Sequence, residues 1–216
     1  MLPENKIAAR AAQEIKDGQV VNCGIGIPSL IPKFIPKNRP FLIHSENGIL
    51  GVGQPSGIKS SDRNLIDAGA TYVYLNPGAS FFDISLSFTI IRGGHLDIAF
   101  LGALEVDEIG NLANWIIPGK YSPGIGGGME LAQKAKRVIV TIIHTTKYGS
   151  PKILKKCKLP LTAKSCVNTI ITELAVIDVT PNGLLLRELA KETDLNTLIQ
   201  RTEALINLPD GEITRF

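Results

Sequence analysis

Short apolar runs alternate along this chain with segments of helical periodicity, and this alternation restricts the fold more than any other feature. Residues 41–44, 96–101 and 137–143 form such runs, which are bounded by turn residues and are typical of buried strands. Between them, apolar residues recur about one helical turn apart. The pattern predicts an α/β fold with an open, mostly parallel sheet, helices on both faces and hairpin decorations.

The hairpins are predicted where turn residues separate two apolar runs. One turn covers residues 107–110, and the other is centred on Asn182-Gly183. Residues 71–75 are predicted as a strand that Asn76-Pro77-Gly78 ends, with a helix from about Ser80. We expect all of residues 1–216 to form one domain, because no repeat or linker interrupts the chain.

Two further helices are predicted from periodicity and from glycine boundaries. The first runs from Pro3 to Gly18, and the second from about Met129 to Lys136. Residues 152–158 hold four lysines around Ile153 and Leu154. This stretch favours the solvated face of an amphipathic helix over a contact with the phosphates of a ligand.

The charge of the chain argues against a nucleic-acid partner. There are 23 lysine and arginine residues and 20 aspartate and glutamate residues, so the formal net charge is only +3. The basic residues are scattered and form no stripe along the chain. A nucleic-acid binding surface normally requires such a stripe or patch.

Cysteine usage and hydropathy indicate a cytoplasmic protein. Cys23, Cys157 and Cys166 are too few for a disulfide framework and lack zinc-ligand spacing. The N-terminal M-L-P-E-N-K carries charges where a signal peptide needs an apolar run. No stretch approaches the roughly 18 apolar residues of a membrane span, so we expect neither secretion nor membrane insertion.

Three segments with glycine follow predicted strands, where parallel sheets bind ligands. Residues 22–28 contain a bare G-x-G, which is more typical of a tight turn than of a dinucleotide site. Residues 124–128 precede a helix and suit either an anion or oxyanion site or a flexible connector. In residues 45–48, Asn-Gly is a routine turn, and a glutamate at the position of Glu46 is usually solvated and idle.

The histidines do not suggest a metal site. His44, His95 and His144 lack the i, i+4 spacing of a helical metal-binding pair. We expect them to be core or loop residues with satisfied hydrogen bonds, and we expect no metal.

Longer motifs extend these segments along nearly the whole chain. They are N-x-G-I-G-I-P at residues 22–28, S-E-N-G-x-L-G-x-G at 45–53, P-G-A-S-F-F at 77–82, I-R-G-G-H-x-D at 91–97, N-L-A-N-W-x-I-P-G-K at 111–120 and L-P-L-T at 159–162. In this order they resemble the B (β) subunit of family I coenzyme A (CoA) transferases.

The resemblance implies roles for particular residues. Glu46 would be the catalytic nucleophile, the backbone of Gly127 and Gly128 would bind the thioester oxygen, and Asn22 would line the site. The chain departs from the family's G-x-G-G-A-M-D loop in having Gly128 for Ala and Glu130 for Asp. Some relatives carry a lysine at the position of Ala70, so no CoA contact can be transferred to that position.

The resemblance also implies a reaction and a partner. CoA would pass between an acyl-CoA and a carboxylic acid through a glutamyl-CoA thioester, with no cofactor. A separate A (α) subunit would complete an α₂β₂ enzyme. The acid pair stays open among acetoacetate with succinate, acetate or butyrate. One alternative is a sugar-phosphate isomerase that uses Glu46 as a base, and another is a metabolite-sensing domain without activity.

Overall fold

The structure is a computed structural model that describes residues 1–36, 38–57, 62–120 and 124–216. Its helices are α1 (Pro3–Ala12), a 3-10 helix (Ile27–Phe34), α2 (Ile84–Arg92), α3 (Gly128–Lys134) and α4 (Leu195–Gln200). None of these helices combines the length and the apolar character that a membrane span requires.

The strands of the described residues lie between and after these helices. They are β1 (Val20–Cys23), β2 (Leu42–Ser45), β3 (Ile49–Pro55), β4 (Val73–Phe81), β5 (Ile98–Leu101), β6 (Glu105–Asp107), β7 (Leu112–Ala113), β8 (Arg137–Thr141), β9 (Ile153–Leu154), β10 (Thr169–Ile171), β11 (Ala175–Thr180), β12 (Gly183–Leu189), β13 (Ile206–Asn207) and β14 (Thr214–Arg215).

The centre of the main sheet is parallel, with the strand order β2-β1-β5-β8-β10. Antiparallel strands extend it on both sides: β3 and β4 beyond β2, and β11 and β12 beyond β10. Strands β13 and β14 pair with β12 in the parallel sense. A smaller sheet contains β7, β6 and β9. The predicted α/β architecture is confirmed, as are both hairpin turns.

Helices cover both faces of the sheet, as the apolar runs predict. Along β5, Ile98 and Phe100 pack with α1 and the 3-10 helix, whereas Ala99 and Leu101 pack with α2 and α3. Successive strand residues point to opposite faces, so a strand covered on both sides must be apolar throughout. Each fully buried large side chain contributes about 1.5–3 kcal/mol to the free energy of folding.

The prediction that residues 76–78 end a strand is wrong. Strand β4 continues through Asn76-Pro77-Gly78 to Phe81, where it pairs with β3, which the sequence analysis did not predict. Because β4 is the outermost strand, Pro77 can lack a backbone donor there without removing a central hydrogen bond. Helix α2 therefore starts later than predicted, at Ile84, where the Asp83 carboxylate accepts from the Leu86 N–H at 2.8 Å.

Two other helix predictions are also wrong, the first in the length of the helix and the second in the type of element. Helix α1 ends at Ala12, well before Gly18. Residues 152–158 form no helix, because Ile153 and Leu154 form strand β9 beside β6 and are both buried. The lysines around Ile153 and Leu154 fit the pattern of an amphipathic helix. In the structure these two apolar residues are instead held by pairing with β6.

Candidate active site

Glu46 lies in the tight turn between β2 and β3. Ser45 pairs with Ile49 across this turn, and the Gly48 N–H donates to the Ser45 carbonyl at 3.0 Å. Gly48 has φ +117°, and a Cβ there would lie 2.1 Å from the Phe82 carbonyl oxygen. The turn therefore requires glycine at this position, and Glu46 is held at the carboxyl end of β2.

A neighbouring loop holds the turn from the other side. The Ser45 hydroxyl accepts from the Ala68 N–H at 2.8 Å, and the Asn47 amide donates to the Ile66 carbonyl at 2.8 Å. Asp67 organises this loop by accepting from the N–H groups of Gly69 and Thr71, each at 2.9 Å. The turn is thus fixed by hydrogen bonds on both sides.

Asn22 links β1 directly to the Glu46 carboxylate. Its side chain is buried, and its Nδ2 donates to the His44 carbonyl at 3.1 Å and to Glu46 Oε2 at 3.0 Å. Its Oδ1 has no hydrogen-bond partner within the described ranges. The His44 carbonyl and the Glu46 carboxylate both accept hydrogen bonds. The Asn22 amide therefore turns its Nδ2 donor, and not its Oδ1, toward Glu46.

The glycine loop approaches Glu46 from the opposite side. Gly127 is buried at the start of α3, and a Cβ there would lie 3.2 Å from Glu46 Cγ and 3.3 Å from Phe88 Cζ. The Gly128 N–H donates to the Ile125 carbonyl at 3.2 Å, so this backbone donor is already engaged within the loop. Of the two glycines in the predicted oxyanion site, Gly127 is the one that leaves no room for a side chain beside Glu46.

His44 is a neighbour of the site that the sequence analysis did not select. It is buried, its Nε2 lies 3.1 Å from the Ser87 hydroxyl, and its ring stacks on Phe82 with centroids 6.0 Å apart. Burial lowers the pKa of His44 to about 4, so the imidazole is neutral at pH 7.

The expectation that the histidines have satisfied hydrogen bonds is wrong for His44, whose Nδ1 has no partner in the described part of the chain. The expectation is right for His144, whose two ring nitrogens contact Thr172 and Thr202. The two residues differ because threonine hydroxyls flank His144 on both sides.

A cavity of about 620 Å³ lies over the carboxyl ends of β1, β2 and β5. Its described lining includes Glu46, His44 and the glycine loop, together with Asn114 and Trp115 of the N-L-A-N-W motif. No lysine or arginine is among these lining residues. The Glu46 carboxylate therefore faces a mostly apolar cavity without a cationic partner from its described walls.

Cys23 also lines this cavity, but its chemistry is unfavourable for a nucleophile. Burial raises the pKa of the Cys23 thiol to about 12, so the reactive thiolate is scarce at neutral pH. Within the described ranges, no group of three or more His, Cys, Asp or Glu side chains is placed to hold a metal ion. The described lining of the cavity also holds two carboxylates, Glu46 and Asp67, of which Asp67 accepts from the N–H groups of Gly69 and Thr71.

The fold and the cavity define an α/β protein with a ligand site at the carboxyl edge of a parallel sheet. The family model described as coenzyme A transferase matches residues 5–197. The chain therefore belongs to the coenzyme A transferase family.

Individual relatives agree with this assignment. A probable coenzyme A transferase beta subunit of Bacillus subtilis (strain 168) is 47% identical over 203 residues, which cover 94% of each chain. The B subunit of the succinyl-CoA:3-ketoacid coenzyme A transferase of Helicobacter pylori (strain ATCC 700392 / 26695) is 46% identical over 198 residues, which cover 92% of this chain and 95% of the relative.

A solved structure supports the fold. The acyl-CoA transferase of Escherichia coli O157:H7, in its apoenzyme form, superimposes with a TM-score of 0.77 at 22% identity. The match covers 99% of this chain but only 43% of that chain, so this chain corresponds to less than half of the longer protein.

Proposed function

We propose that this chain is the glutamate-bearing subunit of a two-subunit CoA transferase, in which Glu46 carries CoA between two organic acids. The observation that supports this most strongly is the position of Glu46. Its carboxylate lines a cavity without described cationic walls, with the Asn22 amide at Oε2 and Gly127 against Cγ. Once a partner subunit excludes water from this cavity, such a carboxylate is a competent nucleophile toward a thioester.

The reaction exchanges one thioester for another. A Glu46 oxygen attacks the thioester carbonyl of the acyl-CoA, the carbon–sulfur bond breaks, and CoA leaves as the thiolate with a mixed anhydride on Glu46. The thiolate then attacks the glutamyl carbonyl, and the donor acid leaves as a carboxylate. The acceptor acid reverses both steps. Because the two thioesters have similar energies, we propose that neither a metal nor ATP is needed.

Two groups are proposed to stabilise the oxyanions of these steps. The Gly127 backbone N–H is proposed to donate to the thioester oxygen of the substrate, whereas the Gly128 N–H is already bonded to the Ile125 carbonyl. Asn22 Nδ2 already contacts a Glu46 oxygen and is proposed to remain beside it in the glutamyl intermediate. One such donor stabilises a transition state by roughly 3 kcal/mol.

The isomerase alternative is not favoured. Family membership points to CoA transfer. An inactive sensing domain would not need the Glu46, Asn22 and Gly127 arrangement.

The substrates and the compartment are proposed as well. The Helicobacter pylori relative is named for a 3-ketoacid, which supports a 3-oxo acid as one substrate. We propose acyl-CoA and a small carboxylic acid as substrates and the cytoplasm as the location. The choice among succinate, acetate and butyrate as the second acid stays open.

We also propose a separate A subunit in an α₂β₂ assembly. The relatives named as beta or B subunits match this chain over nearly their whole length, whereas the solved E. coli chain is more than twice as long. Large apolar side chains are exposed near the site, among them Ile25, Phe81 and Ile84. A partner that covers them would also dehydrate Glu46.

Mixing the purified chain with its cognate A subunit tests this proposal. We expect negligible transfer from acetoacetyl-CoA to a carboxylate by either subunit alone and full transfer by the mixture, with size-exclusion chromatography reporting the assembly. Glu46→Gln in the mixture is the control for side activities and is expected to be inactive. Substantial activity of this chain alone would contradict the two-subunit part of the proposal.

A further inference from the structure

Helix α2 carries the I-R-G-G-H-x-D motif at its end, and the reaction described above assigns no role to this motif. Arg92 is the last residue of α2, and its Nη2 lies 2.9 Å from Glu130 Oε1 in the first turn of α3. Glu130 is the position at which this chain departs from the Asp of related loops. The pair joins the end of α2 to the start of the helix that carries the glycine loop.

Arg92 has a second contact, and this one leads toward Glu46. Its guanidinium carbon lies 5.5 Å from the centroid of the Phe88 ring, one helical turn earlier on α2. Phe88 Cζ lies 3.3 Å from the Cβ position of Gly127, and Glu46 Cγ lies 3.2 Å from the same position. Phe88 and Glu46 therefore flank Gly127, and Arg92 lies on the far side of Phe88.

The glycine loop is tied to α3 at Gly127. The Leu131 N–H donates to the Gly127 carbonyl at 3.0 Å. Gly127 is the residue that ends the loop and begins α3, so its distance from Glu46 depends on how α3 packs on α2.

We propose that the Arg92–Glu130 pair is a positioning device, which holds Phe88 and the start of α3 so that Gly127 stays in register with Glu46. Arg92 is 59% exposed and Glu130 is 18% exposed, so the pair contributes little to global stability. Its effect is on geometry, because a displacement of about 1 Å in an oxyanion donor can lower turnover by roughly 100-fold. This inference rests on the proposed function.

The test compares variants of the pair in the assembled enzyme with a matched control. Lys136→Ala removes another exposed ion pair, Lys136–Asp97 at 2.8 Å, at the amino ends of β5 and β8. We expect Arg92→Ala and Glu130→Gln to lower kcat by roughly tenfold or more, with KM for acyl-CoA within about threefold of wild type. The Lys136→Ala enzyme should keep wild-type kinetics.

Two further variants distinguish the ion pair from other roles of Arg92. The charge exchange Arg92→Glu with Glu130→Arg should recover activity over either single variant, and Glu130→Asp should stay close to wild type. Wild-type kcat in Arg92→Ala would overturn the inference. A raised KM with unchanged kcat in Arg92→Ala would also overturn it, because Arg92 would then be a CoA contact. An exchange variant that is no more active than the single variants would overturn it as well.

A separate readout distinguishes failure of this inference from failure of the proposed function. Amide hydrogen exchange of residues 124–131 can be measured in the chain with or without transfer activity. We expect faster exchange there in Arg92→Ala than in Lys136→Ala. If the wild-type assembly shows no CoA transfer but exchange is faster in Arg92→Ala, the proposed function fails and the positioning role stands. Equal exchange rates in Arg92→Ala and Lys136→Ala would overturn the positioning role.

Discussion

Gly127 is the residue whose side-chain size is most restricted by the candidate site. A Cβ on Gly127 would contact Glu46 Cγ and Phe88 Cζ at 3.2 and 3.3 Å, whereas a Cβ on Gly128 has no described atom within 4 Å. We expect Gly127→Val to lower kcat by roughly 100-fold, with a smaller change in KM for acyl-CoA, because the displaced donor acts mainly in the transition state.

Gly128→Ala is the matched control for this substitution and should keep near wild-type turnover. Steady-state kinetics of the two variants in the assembled enzyme provide the comparison. Unchanged turnover of Gly127→Val with a much weaker apparent affinity would instead assign the loop to CoA binding.

Single residues also show what the sequence could not reveal. Glu46 follows a strand in a turn, and turn chemistry alone predicts a solvated, idle glutamate. Its contacts with Asn22 and Gly127 come from β1 and from the loop before α3, which only the folded sheet brings beside β2. Motif resemblance found these three residues, whereas His44 and Ser87 meet on two elements without a shared motif.

The turn between β2 and β3 depends on Gly48. Substitution by alanine would combine φ +117° with a Cβ 2.1 Å from the Phe82 carbonyl oxygen. We expect Gly48→Ala to reduce the free energy of unfolding by about 3 kcal/mol, within the range for strained backbone positions. Thermal unfolding of the isolated chain measures this, at roughly 2–4 °C per kcal/mol for a domain of this size.

Gly78→Ala separates the clash from the cost of positive φ. Gly78 has φ +84° but no described atom within 4 Å of its Cβ position. The cost there should be only about 1 kcal/mol, the penalty of a left-handed residue. Equal destabilisation by the two variants would show that the contact with Phe82 does not constrain the turn.

Elements were predictable where they are buried on both faces and less so at the edges of the sheet. Strands β5 and β8 are apolar runs because helices cover both sides, and their continuous apolar sequence identifies them. Strand β4 has a central Asn-Pro-Gly sequence that local chemistry assigns to a turn. Its extended conformation depends on pairing with β3 and on its position at the edge, neither of which is visible in local sequence.

The whole molecule presents an open, one-sided site. The cavity above Glu46 lies beside exposed apolar residues such as Ile25 and Phe81, and no described lysine or arginine lines it to bind the phosphates of CoA. Both features agree with a site that a second subunit completes. They also explain why acyl selectivity could not be derived from this chain, since part of the pocket would belong to the partner.

The most direct test of the account is to look for CoA on Glu46. The assembled enzyme would be incubated with acetoacetyl-CoA without an acceptor, quenched in acid, digested and examined by mass spectrometry. We predict a CoA adduct on the peptide that contains Glu46, sensitive to hydroxylamine as a thioester should be and missing in Glu46→Gln. An assembled enzyme that transfers CoA without this adduct, or with the adduct on Cys23, would contradict the assignment of Glu46 as the nucleophile.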